Sequence, residues 1–171
     1  MNSYAAEKAA ENIRKRYEGS DKEFLFGAER IDIRYLSDFK FEVKKKDLTF
    51  LVDEPSDRGG SDSGPNPLAA FLAGCATCLG MQYVRLFAVD KFPFETFAVA
   101  AVAHFDRRVK GSFTEIIYDV RIDLNGQEDG NARDRTSKIA KQAEELCYVH
   151  NTLTKAGVRI QTNIFLNGNK I

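Results

Sequence analysis

Apolar and polar positions alternate with a period of two in Glu29–Tyr35, where Ile31 and Ile33 sit among charged neighbours, and again in Phe39–Val43. That is the period of a strand with one buried face. Leu48–Val52 adds a third short run after a break at Asp47, and three such runs in succession predict an antiparallel meander. Residues 53–64, DEPSDRGGSDSG, are polar and glycine-rich; a loop this long inside a compact domain is usually functional or mobile. Asn66-Pro67 supplies an N-cap and a first-turn residue for a helix that runs to about Phe87. From Leu68 to Met81 the helix carries no charge, so it is expected to be buried on every side. Its small residues Ala73, Gly74, Ala76 and Gly80 leave room for a second helix to approach.

Beyond Pro93, Phe94–Phe105 and Phe113–Leu124 are the longest strand candidates, joined by a turn at Arg107–Ser112. Asn125–Asn131 is a polar loop. Residues 132–146 place Ile139, Ala143 and Leu146 on one stripe of an amphipathic helix. Cys147–Ala156 continues as helix or turn to Gly157, and Val158–Leu166 alternates as a closing strand. Residues 2–18, rich in Ala, Glu, Lys and Arg, predict an N-terminal helix ended by Gly19-Ser20. The order of elements is α+β rather than alternating βαβ. It divides the chain into a helical extension, residues 1–20, and one domain, residues 21–171. No glycine-rich phosphate loop follows a strand, so a dinucleotide or P-loop reading has no support.

Composition narrows the partners. At 171 residues with 43% apolar side chains the chain can build a real core. Lys plus Arg and Asp plus Glu balance at 25 each, without the basic excess of a nucleic-acid binder. Lys44-Lys45-Lys46 reads as a solvated strand end. No uninterrupted apolar run approaches the ~20 residues that cross a bilayer, and the charged N-terminus lacks a signal-peptide core. Neither nucleic acid nor membrane is expected as a partner, and the cytoplasm is the expected location.

Three cysteines are too few for a disulfide scaffold. Cys75 and Cys78 form a CxxC, but two to three turns inside a helix rather than at its N-terminus, where a dithiol is normally activated. Cys75, Cys78, Cys147 and His150 supply a nominal zinc ligand set, although an apolar helix interior is a poor place for paired thiolates. Free cysteines also serve as small buried hydrophobes, which suits Cys75. The fourth reading is redox chemistry by Cys78 and Cys147.

The run GPNPLAAFLAGCATCL (Gly64–Leu79), preceded by VDEPSDRGGSDS, and the segment EELCYVHNTLTKAGVRI (Glu144–Ile160) together resemble the OsmC/Ohr family of osmotically inducible and organic hydroperoxide resistance proteins. The resemblance covers most of residues 29–166. It implies an OsmC-like α+β fold, with antiparallel sheets around a central buried cysteine-bearing helix, in an interlocked homodimer. It further implies thiol-dependent peroxidase activity, with Cys78 reacting with an organic hydroperoxide and Cys147 resolving it as a disulfide. No cofactor is then needed beyond an external dithiol reductant.

The sequence departs from this pattern where the thiolate should be activated. Peroxidase members carry a glutamate early in the helix, orienting an arginine from the N-terminal hairpin. Here the candidate positions are Leu68 and Ala69, and the hairpin turn Ser37-Asp38 has no arginine. Arg34, Lys40 and Arg58 are nearby substitutes, and His150 follows Cys147 by about one helical turn. Arg85 shares a helical face with Cys78 but reads as a salt-bridge residue, and His104 as half-buried structure. The alternative function is a non-catalytic dimer that binds a hydrophobic or thiol-containing small molecule in the same cleft.

Overall fold

The computed structural model describes residues 8, 11, 12, 28–108, 111–126 and 130–171. Apart from helical positions 8, 11 and 12, the expected N-terminal helix lies outside the described residues. The chain divides into two compact units, Asp21–Gly74 and a second containing Cys75–Ile171.

In the first unit, β1 (Asp32–Ser37), β2 (Lys40–Lys45) and β3 (Leu48–Val52) form the expected antiparallel meander in the order β1-β2-β3. The tight turns place Asp38 and Lys46 at positive φ. Most of the sheet's apolar residues stay exposed, Ile33, Tyr35, Leu48 and Phe50 among them. The loop after β3 is not slack. The buried Asp53 directs Oδ2 at both the backbone N–H and the hydroxyl of Ser61 and of Ser63, at 2.7–3.1 Å. Hydrogen bonding from Ser63 first, then from Ser61, outweighs burial and holds the Asp53 carboxyl well below the usual carboxylate range. Gly60 is forced by this packing, because a Cβ there would lie 1.7 Å from the Glu54 carbonyl oxygen. The loop delivers Asn66, whose Oδ1 accepts the N–H of Ala69 at 2.9 Å and caps the next helix as expected.

That helix, α1 (Pro67–Asp90), runs one turn past the expected end at Phe87. Lys91 adopts positive φ, and the Phe92 N–H reaches back to the Phe87 carbonyl at 2.9 Å, a helix-ending arrangement that swings Phe92 onto Phe87 (centroids 5.2 Å apart). Phe87, Tyr83 and Phe97 complete the aromatic core.

In the second unit, β4 (Thr96–Asp106), β5 (Ser112–Asp123), β6 (Arg159–Leu166) and β7 (Asn169–Lys170) form one sheet in chain order. Ile116, Tyr118, Val120 and Ile122 alternate onto its buried face. The sheet is mixed rather than purely antiparallel, since β5 and β6 run parallel from Glu115↔Arg159 to Ile122↔Leu166. The helices α2 (Ala132–Leu146) and α3 (Tyr148–Lys155) make the crossover that a parallel pair requires. The short return β7 has too few residues to announce itself in the sequence.

Two expectations for α1 need correction. It is not buried on every side: Leu68, Phe71, Met81 and Val89 are 42–57% exposed. Nor does Gly80 make room for a helix; a Cβ there would meet Val99 of β4 at 3.5 Å, while Gly74 faces open space. The helix is also long and apolar enough to cross a bilayer by length and composition, contrary to the reading of its residues one by one. An average over a window tolerates Thr77, Gln82 and Arg85, which an unbroken apolar run does not. A core helix passes the same test, and Leu79, Gly80, Tyr83 and Phe87 are buried here.

Candidate active site

The second unit brings two of the three cysteines into contact. Cys78, half-buried near the middle of α1, has its Sγ 3.5 Å from the Sγ of Cys147. All three cysteines are free thiols. Cys147 occupies the junction of α2 and α3, ending the first and capping the second with an extended backbone (φ −83°, ψ 111°). Its sulfur accepts the backbone N–H of His150 at 3.5 Å, the bond that a serine or aspartate makes at an ordinary N-cap. The junction turns the first amides of α3 toward the thiol pair.

The pair is electrostatically unequal. The Cys147 thiol donates its hydrogen bond to Cys78, and this is the largest influence on Cys78. Burial opposes it; the Val149 amide, the charge of Arg85 and the Tyr148 amide add to it. The Cys78 thiol is pulled down to about 6, which favours the thiolate at neutral pH. Cys147 moves the other way, because donating to Cys78 and being buried both favour its protonated form. Cys75 is 2% exposed, and burial followed by the charge of Cys78 pushes it up. Its burial is what the hydrophobe reading of Cys75 expects. Tyr118, from β5, lies near all three sulfurs and is likewise pushed up, first by burial.

Chemically, the arrangement is a sulfur biased toward the thiolate with a sulfur biased toward the thiol in contact beside it. A disulfide needs the two to close from 3.5 Å to about 2.05 Å.

The other candidate residues are distributed as follows. His150 lies beside the pair through its backbone; its Nδ1 is buried with no hydrogen-bond partner among the described residues. Arg34 and Arg58 belong to the first unit, where Arg34 forks onto Glu42 (3.0 and 3.2 Å) and Arg58 faces Glu54 at 3.4 Å. His104 is exposed rather than half-buried. It points to the outer face of the sheet, where Glu115 bridges it to Arg159. Arg85 forms no salt bridge with a described carboxylate; its Nη1 donates to Gln82 Oε1 at 3.2 Å. The nominal zinc set does not converge: among the described residues no three His, Cys, Asp or Glu side chains could hold a metal ion. Sequence reasoning missed the α3 amides, which no side chain announces, and Gln82, whose i+4 spacing from Cys78 was the available signal.

Two of the three thiols are thus in contact, one from the middle of a helix and one from a helix junction, in the unit that also holds the mixed sheet. Residues 60–163, well over half of the chain, match the family described as OsmC-like protein, and the chain belongs to that family. No curated protein sequence matches it. Among solved structures it is similar to an OsmC-like protein from Mycoplasma pneumoniae, at 17% identity over 83% of this chain and 99% of that one, with a TM-score of 0.70. An organic hydroperoxide resistance protein OsmC from Legionella pneumophila is 17% identical over 82% and 99%, with a TM-score of 0.61. The organic hydroperoxide resistance protein OhrB of Bacillus subtilis is 19% identical over 82% and 98%, with a TM-score of 0.54.

Proposed function

We propose that this chain reduces organic hydroperoxides by a two-cysteine cycle. The observation that carries the reading is the contact of the Cys78 and Cys147 sulfurs at 3.5 Å, in which the Cys147 hydrogen bond favours the Cys78 thiolate. The Cys78 thiolate attacks the distal oxygen of the hydroperoxide. The O–O bond breaks, the alkoxide leaves as the alcohol after taking a proton, and Cys78 becomes a sulfenic acid. Cys147 then attacks that sulfur; the S–S bond forms, the S–O bond breaks, and the departing hydroxide takes the Cys147 proton as water. An external dithiol returns both thiols by exchange, itself becoming a disulfide. The names of the Legionella and Bacillus proteins, which speak of organic hydroperoxide resistance, agree with this substrate class.

One equivalent of cumene hydroperoxide added to the reduced protein should produce a Cys78–Cys147 disulfide, mapped by peptide mass spectrometry. Thiols that stay reduced would instead favour the second reading, a non-catalytic member that binds a hydrophobic or thiol-containing small molecule. The observation on its side is Leu68-Ala69 where peroxidase relatives carry a glutamate.

The working form is a homodimer in a reducing compartment such as the cytoplasm. The stripe Leu68, Phe71, Met81 and Val89 leaves large apolar side chains exposed on a helix that carries no charge from Leu68 to Met81, and such patches mark protein interfaces. Light scattering of the native protein should give twice the chain mass, and Met81→Glu should shift it to a single chain.

A further inference from the structure

We infer that Arg85, held in place by Gln82, is the residue that sets positive charge against Cys78. The inference rests on the reading of Cys78 as the reactive thiolate.

Cys78, Gln82 and Arg85 stand at i, i+4 and i+7 of α1, one above another on a single stripe. Gln82 is 6% exposed, which makes it one of only three buried polar or charged residues described. Its Oε1 is spent on Arg85 Nη1 at 3.2 Å. Arg85 itself is half-buried. Other described arginines, including Arg34, Arg58, Arg121, Arg135 and Arg159, pair with carboxylates. No described Asp or Glu forms an ion pair with Arg85.

The chemistry of the tether matters. A glutamate at position 82 would fix the guanidinium equally well but would cancel its charge. The neutral amide of Gln82 fixes it and leaves the charge intact. A half-buried guanidinium is screened less than one at the surface, and it stays protonated over the whole working pH range. Its field falls on the sulfur one and a half to two turns away, in the direction that favours the thiolate.

The test is the pH dependence of Cys78 alkylation by iodoacetamide, read by mass spectrometry on the native protein, with thiolate absorbance at 240 nm as a second probe. Arg85→Gln should raise the Cys78 midpoint, by less than the roughly one unit that an opposite charge within ~4–6 Å contributes. Arg85→Lys should restore most of the shift. Gln82→Leu should move the midpoint up by less, since it frees the guanidinium without removing it. A midpoint unmoved in both Arg85→Gln and Gln82→Leu would overturn the inference. So would Arg85→Lys titrating as high as Arg85→Gln with an unchanged circular dichroism spectrum, because shape rather than charge would then be responsible. If wild-type Cys78 titrates near the ordinary ~8.5 of a free thiol, the reading of Cys78 falls and Arg85 falls with it.

Discussion

Exchanging Cys78 for serine is expected to leave a folded protein that no longer consumes organic hydroperoxide. The substitution swaps one atom at a half-buried position, so the stability cost should be small. Turnover supported by a dithiol should fall by roughly three orders of magnitude or more, the scale on which enzymes lose activity with their nucleophile. Cys147→Ser should behave differently. The first equivalent of peroxide is still consumed, since attack needs only Cys78, but the sulfenic acid then has no resolving partner. It should accumulate, be trapped by dimedone, and pass to the sulfinic acid in excess peroxide. Cys75→Ser should cycle normally, because that thiol is buried and takes no part. Peroxide consumption and intact mass measured together separate the three variants. A Cys78→Ser protein that retained full turnover would remove the thiol mechanism altogether.

The rate of Cys78 with peroxide should rise with pH to a midpoint near 6 and stay level above it. The sign follows from the direction of the shift. The thiolate is the nucleophile, and its formation has been moved down to about 6. Acidification through that midpoint therefore protonates the reacting sulfur, and the rate drops tenfold per unit below it. The largest influence holding the midpoint down is the hydrogen bond from Cys147. Cys147→Ala should accordingly raise it toward the ordinary thiol value of ~8.5. Cys147→Ser keeps a hydroxyl donor and should lie between. Stopped-flow rates of first-equivalent oxidation from pH 4.5 to 9 give the three midpoints. If Cys147→Ala stays near 6, the α3 amides and Arg85 suffice without the second thiol.

The fold was legible where local pattern and tertiary demand agree. Period-two alternation marks β1 and β2, and Asn66-Pro67 marks the start of α1 with its cap intact. It was less legible where non-local pairing decides. Nothing within β5 or β6 says that they run parallel; only the crossover through α2 and α3 does. The apolar pattern of α1 was read as burial on all sides, yet composition records affinity for an apolar neighbour, not which chain supplies it. The site was half-legible. Cys78 and Cys147 stand out by type and surroundings, and the structure brings their sulfurs together. What tunes them is a cysteine in an N-cap role usually taken by Ser, Thr, Asp or Asn, together with backbone N–H groups that have no residue code. Arg85 was visible on the right face but passed over for a salt bridge that does not form.

The thiolate-stabilising contacts also bear on the return half of the cycle. Amides, a neighbouring thiol and a guanidinium all lower the free energy of Cys78 as an anion, and none of them gains as much from a neutral disulfide sulfur. Stabilising the reduced state makes a disulfide a stronger oxidant. The junction at Cys147 would therefore favour attack on peroxide by Cys78 and also make the disulfide one that is surrendered readily to a modest dithiol, so that reactivity toward peroxide and ease of resetting stem from one local arrangement rather than trading against each other.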